Sequence, residues 1–161
     1  MKRTTVVTLV TIALACVVLP HSAAAQGSPD FKGLSHFIIE TVVPDNTCGL
    51  TQDDVEAHVR KVVVESRMIL EPPLAVKMPT EYLTLIEAKL TPFPDCSAIY
   101  VSLDAETPAR LEITSRFVGG VTFWQRGTIL KGVGGMRSRV LSAIDDLTKK
   151  LVAEWSSANP R

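Results

Sequence analysis

The sequence predicts an α+β fold: an antiparallel or mixed sheet of about five strands with two amphipathic helices packed on one face. Three observations carry that expectation. Apolar and polar residues alternate through several short segments in the middle of the chain. Two other segments, one early and one at the carboxyl end, repeat apolar residues at spacings of three and four. The order is strand, helix, several strands, helix, with no internal repeat and no low-complexity tract.

The amino terminus has a different character. Lys2 and Arg3 precede an apolar run from Val6 to Leu19, Pro20 ends it, and Ala23-Ala24-Ala25 supplies the small-x-small pattern that signal peptidase cuts after. Residues 1–25 are therefore expected to be a cleavable signal peptide and residues 26–161 a single α+β domain, periplasmic or secreted. The run is shorter than the ~20 residues a membrane span needs, so no transmembrane segment is expected in the mature chain. Ala13-Leu14-Ala15-Cys16 offers an alternative cut, with lipidation of Cys16. Ala13 stands there where that motif usually has leucine.

Charge is balanced, with 17 basic and 17 acidic residues; cleavage would remove Lys2 and Arg3 and leave 15 against 17. A mature charge of −2 gives nucleic acid no basic stripe and an anionic membrane no polybasic segment. Cys48 and Cys96 remain as an even pair, expected to form a disulfide in an oxidising compartment. A redox pair would favour CxxC spacing, and a metal site would need more ligands nearby.

The first strand reads from Leu34 to Val43, after a polar stretch, Gln26 to Lys32, expected to be loose. Phe37, Ile39, Thr41 and Val43 fall on one face, and Pro44-Asp45-Asn46 ends the strand. A helix starts near Thr51, which can cap it. Asp53 and Asp54 suit its positive first turn, and Leu50 can staple against Val55. Val55, Val59, Val62 and Val63 follow at helical spacing. Met68, Ile69 and Leu70 continue the apolar character until Pro72-Pro73 stops the helix.

Leu74 to Met78 reads as a short strand and Tyr82 to Leu90 as a longer one, with a helical turn as its alternative. Pro92 and Pro94 bracket a loop that delivers Cys96. Ala98 to Asp104 and Arg110 to Phe117 alternate as two further strands, the second with one solvated face. Gly119-Gly120 suits a tight hairpin leading to a strand from Val121 to Lys131, with a break possible at Gly127. Met136, Val140, Ile144, Leu147, Leu151 and Trp155 make the stripe of the closing helix. A Cys48–Cys96 bridge would tie the start of the first helix to the sheet.

No HExxH, CxxC, GxSxG or calcium-loop motif occurs; no catalytic residue, metal or cofactor is assigned. His58 lies one turn after Asp54, which could orient it, but no nucleophile is tied to the pair by any motif. His36 reads as a surface or edge residue. Asp53-Asp54-Glu56 and Asp145-Asp146 read as solvated helix faces. Lys131, Gly132, Gly134, Gly135, Arg137 and Arg139 form a glycine-rich, basic opening to the last helix and are a candidate anion site. Neither a dinucleotide loop nor a Walker loop fits, because Arg137 stands where GxGxxG needs glycine and GK[ST] is missing. Strand alternation points Phe123 and Trp124 to opposite faces. An exposed Trp124 with Arg116 and Arg126 would form a contact patch, and core packing of Trp124 is the competing expectation.

The segments CGLTQDDV, AIYVSLD, VTFWQRG and AEWSSANP, which cover most of residues 48–160, resemble small exported bacterial proteins of uncharacterised function. The element order is also similar to the amino-terminal domain of TolB proteins. The resemblance implies an envelope location and an α+β fold. The leading functional expectation is a non-catalytic domain that binds another envelope protein by a sheet edge or by the groove between sheet and helices. The rival is a small-anion-binding protein or a hydrolase using His58 with Asp54, or the Gly132–Arg139 loop.

Overall fold

A computed structural model describes residues 31–45, 47–72, 83–111, 116–132 and 134–160, and for 109–111 and 116–119 the backbone alone. The expected signal peptide, Cys16, the expected strand over 74–78 and the side chain of Arg116 lie outside the described residues. The elements are β1 (His36–Val42), α1 (Gln52–Val64), β2 (Ile69–Leu70), β3 (Thr84–Pro92), β4 (Ala98–Leu111), β5 (Arg116–Lys131) and α2 (Met136–Ala158). They form a five-stranded mixed sheet in the order β2-β1-β3-β4-β5, so the chain is α+β with two helices, as its patterning predicts. β1 pairs in parallel with β2 and β3, and the remaining pairs are antiparallel.

α1 starts where its cap requires. Thr51 accepts a hydrogen bond from the Asp54 backbone N–H at 3.2 Å, and the Asp54 carboxylate accepts one from the Thr51 N–H at 3.0 Å, closing a capping box. Its four inward valines have modest helix propensity, a cost of about 0.5 kcal/mol each. Val55, Val59, Val62 and Val63 are all buried, and burial contributes about 1.5 kcal/mol or more per side chain, so packing decides the conformation. The helix ends at Val64, not near Leu70. The Ser66 hydroxyl bonds back to the Val63 carbonyl and accepts from the Met68 N–H, turning the chain. Ile69 N–H then donates to the Ser35 carbonyl and Glu71 N–H to that of Phe37, making the short parallel strand β2.

One face of the sheet is the core face. Phe37 and Ile39 of β1, Ile86 and Leu90 of β3, and Val101 and Leu103 of β4 are buried beneath α1 and α2, which pack against one another. All six residues of the predicted α2 stripe are buried. Phe31 is fully buried rather than part of a loose lead-in: its ring meets Phe123 edge-on at 5.2 Å, and Asn159 Nδ2 donates to its carbonyl. Trp155 Nε1 donates to the Leu34 carbonyl, so the start of the described chain is tied to the end of α2.

The expected hairpin at Gly119-Gly120 is corrected. β4 and β5 pair out to Leu111 and Arg116, so Gly119 and Gly120 lie within the paired length of β5. Gly119 is instead an extra residue in β5, between the pairs Pro108–Gly120 and Ala109–Val118, where Pro108 has no N–H to give the ladder. A second bulge makes Phe123 the extra residue between the pairs Ala105–Trp124 and Glu106–Thr122. The bulge breaks strict alternation, and both Phe123 and Trp124 pack on the core. β5 runs through Gly127 without a break. A Cβ there would fall 2.7 Å from Tyr100 Cζ.

Candidate functional site

The two cysteines form a disulfide. Cys48, in the loop before α1, and Cys96, in the β3–β4 turn, have Cα atoms 5.8 Å apart. Both adopt positive φ, 53° and 55°, in the left-handed region that disfavours a side chain.

The acid–base pair considered for α1 is not assembled. His58 Nδ1 lies 2.8 Å from Asp145 Oδ1 on α2, while Asp54 pairs with Arg137 at 2.6 Å. The Arg137 hydrogen bond, then the Thr51 N–H, hold the Asp54 carboxyl below its ordinary range. Both pairs therefore clasp α1 to α2. His36 is similarly engaged with Glu71, at 2.8 Å. Among the described residues, no three His, Cys, Asp or Glu side chains gather as a metal site.

The glycine-rich loop is pinned from several sides. Gly132 N–H donates to the Ser97 carbonyl, and Arg139 Nη1 donates to the Lys131 carbonyl at 2.8 Å. Gly135 caps α2 at φ 60° with no side-chain cap bond, and the first turn of α2 holds no acidic residue. Of the two loop arginines, one is thus occupied by a carboxylate and the other by a carbonyl. Trp124 is 3% exposed, so its ring is not on the surface. Its Nε1 donates to Glu154 of α2, and Arg126, 46% exposed, lies over the ring and 3.6 Å from Glu154. Among the described side chains of the expected patch, Arg126 reaches solvent.

The sheet face opposite the helices carries a row of polar side chains in register: Glu40, Glu87, Asp104 and Gln125 across β1, β3, β4 and β5. Asp104 is buried and its Oδ1 has no hydrogen-bond partner among the described residues. Burial pushes its carboxyl up from the usual range, against the pull of a Gln125 hydrogen bond and the Lys89 charge. Lys89 itself is held by Glu87 at 2.6 Å.

The feature with the most open chemistry is the border of β5. β5 is the last strand of the sheet, so one of its two edges has no strand beside it among the described residues. From Trp124 to Lys131 its register with β4 is uninterrupted. α2 runs back along that stretch, and a cleft of about 460 Å³ opens between them. Leu130 and Leu147 form its apolar floor, and Arg139, Asp146 and Lys150 line its rim. The glycine-rich loop supplies Arg139 to this rim; Ser142 and Lys150 carry no signal of a site in the sequence, and Asp146 reads there as part of a solvated helix face. These follow Arg139 at spacings of three and four, a second helical stripe beside the apolar one, and only the packed helix shows that it faces a strand edge.

No family model and no curated protein matches the chain. Among solved structures it is similar to a minor lipoprotein from Acinetobacter baumannii, with 12% identity over 78% of this chain and 95% of that one and a TM-score of 0.36. It is also similar to the PelC dodecamer from Paraburkholderia phytofirmans. One crystal form gives 9% identity over 75% and 90% of the two chains with a TM-score of 0.47, and another gives 10% over 74% and 88% with 0.41. Likenesses this weak say nothing of the site, and they lend the TolB resemblance no support. No helix among the described residues is long and apolar enough to cross a membrane.

Proposed function

We propose that this chain is an exported, non-catalytic accessory domain of the cell envelope that binds another envelope protein along the free edge of β5. The observation that carries the reading is that edge, uninterrupted from Trp124 to Lys131 and bordered by an open cleft. An edge strand presents unpaired N–H and C=O groups, and sheets ordinarily cover, shorten or distort such an edge unless a partner uses it. The disulfide and the signal-like amino terminus support an oxidising compartment. His58 and Asp54 support no competing hydrolase, because each is committed to a different partner on α2.

The test is photo-crosslinking of the full chain in the producing cell, with p-benzoylphenylalanine at Thr128 on β5 or at Lys61 on the exposed side of α1, together with the mass of the purified protein. The expected result is a mature chain beginning at Gln26 and a discrete adduct with an exported envelope protein from position 128 alone. Equal adducts from both positions, none from 128, or a chain retaining Met1 would overturn the reading.

A further inference from the structure

We infer that the β5–α2 cleft takes an extended acidic peptide, added to the sheet as a sixth strand, with two carboxylates four residues apart directed toward α2; this rests on the edge-binding reading above.

The charge around the cleft selects the class. The rim cations Arg139 and Lys150 have no carboxylate partner among the described residues, whereas Arg126 and Arg137 are already paired. Asp146 is the acidic member of the rim, so these three groups sum to +1 in a chain whose mature charge is −2. A second copy entering by its own β5 edge would bring Arg126, on the helix side of that strand, toward the same cations, which disfavours self-pairing. An acidic segment meets no such repulsion.

Geometry sets the spacing. Arg139 and Lys150 are eleven positions apart on one helix, a rise of about 16 Å at 1.5 Å per residue. Residues i and i+4 of an extended strand project to the same side about 13 Å apart, and flexible side chains close the difference. Asp146 stands between the two cations, so the middle residue on that side should be uncharged, next to Ser142 and above Leu147. The intervening residues would face the other side of the sheet, beside Ile129, which is 55% exposed. A β-branched residue suits that cross-strand position. The pattern is acid–valine–serine–valine–acid.

The test uses the disulfide-intact mature protein and fluorescence anisotropy with a fluorescein-labelled, carboxy-amidated peptide Gly-Glu-Val-Ser-Val-Glu-Val. Its Gln and Lys counterparts replace both glutamates. Two further isomers are N-methylated on alternate residues, so that one strand edge or the other loses its donors. Binding should rank Glu over Gln over Lys and weaken with salt. Lys150→Glu should cost the Glu peptide about fivefold or more, the scale of a partly screened ion pair, with an unchanged far-ultraviolet spectrum. One N-methylated isomer should bind like the parent and the other should lose binding. Equal binding of the Glu and Gln peptides, or no effect of Lys150→Glu, overturns the acidic specificity while the edge reading stands. Equal binding of both N-methylated isomers overturns strand addition. If no peptide binds but Thr128 still crosslinks in cells, the peptide class is wrong and the edge reading survives.

Discussion

At the scale of single residues, Asp104 is the side chain most at odds with its surroundings. It is buried in the sheet with one oxygen unpaired among the described residues, and burial raises its pKa. A carboxyl whose folded-state pKa lies above its unfolded value contributes stability that is fully present below the unfolded pKa, near 3.8, and is lost as pH rises through the folded value. At neutral pH the ionised group is therefore a cost. Asp104→Asn keeps the shape and removes the charge, so its melting temperature should exceed the parent's by about 3 °C near pH 7, with the gap closing as the pH falls to about 4. A lower melting temperature at neutral pH would show instead that Lys89 holds the carboxylate favourably. Nothing in the sequence marks Asp104 out: it stands in the alternating run AIYVSLD, and its burial depends on strands 17 and 21 positions away, at Glu87 and Gln125.

At the scale of elements, the two helices hold one another partly through Asp54–Arg137 and His58–Asp145. Because Asp54 titrates below its ordinary value, its contribution is present above about pH 3.8 and is lost as pH falls through the lowered folded value. Asp54→Asn should consequently flatten the acid side of the curve of urea midpoint against pH between about pH 2 and 5, and an unchanged slope would remove Asp54 from that role. Local signals were well preserved in these helices: Thr51, the valine spacing and the Met136–Trp155 stripe each lie within a few turns of the chain, where periodicity and capping act. The boundaries that were misread depend on distant partners. Ile69 and Leu70 look helical until β1 offers its edge. Gly119-Gly120 looks like a hairpin until Pro108, eleven or more positions earlier, requires a bulge. Likewise, the pairing of His58 with Asp145 rather than Asp54 joins residues 87 positions apart, beyond the reach of any i,i+4 rule. The cleft was half legible: Arg139 could be read from the glycine-rich loop, but Lys150 and the strand edge opposite them could not.

At the scale of the whole molecule, the disulfide links the start of α1 to the far end of the β3–β4 turn across a separation of 48 residues. On the chain-entropy account, closing a loop of that length stabilises the fold by about 4 kcal/mol. The double variant Cys48→Ser with Cys96→Ser should lose stability of that order in urea unfolding. The corresponding double glycine variant should lose about 1 kcal/mol less, because both positions have positive φ and glycine adopts it without steric cost. Equal losses in the two variants would mean that the backbone relaxes once the bridge is gone. The chain's two tryptophans also lie at one seam: Trp124 donates to Glu154 on α2, and Trp155, on α2 itself, meets Phe37 edge-on at 6.2 Å. Intrinsic emission from this protein is thus a gauge of whether the last helix is seated on the sheet. A shift in its wavelength maximum would register that helix lifting away even while the rest of the domain stayed folded.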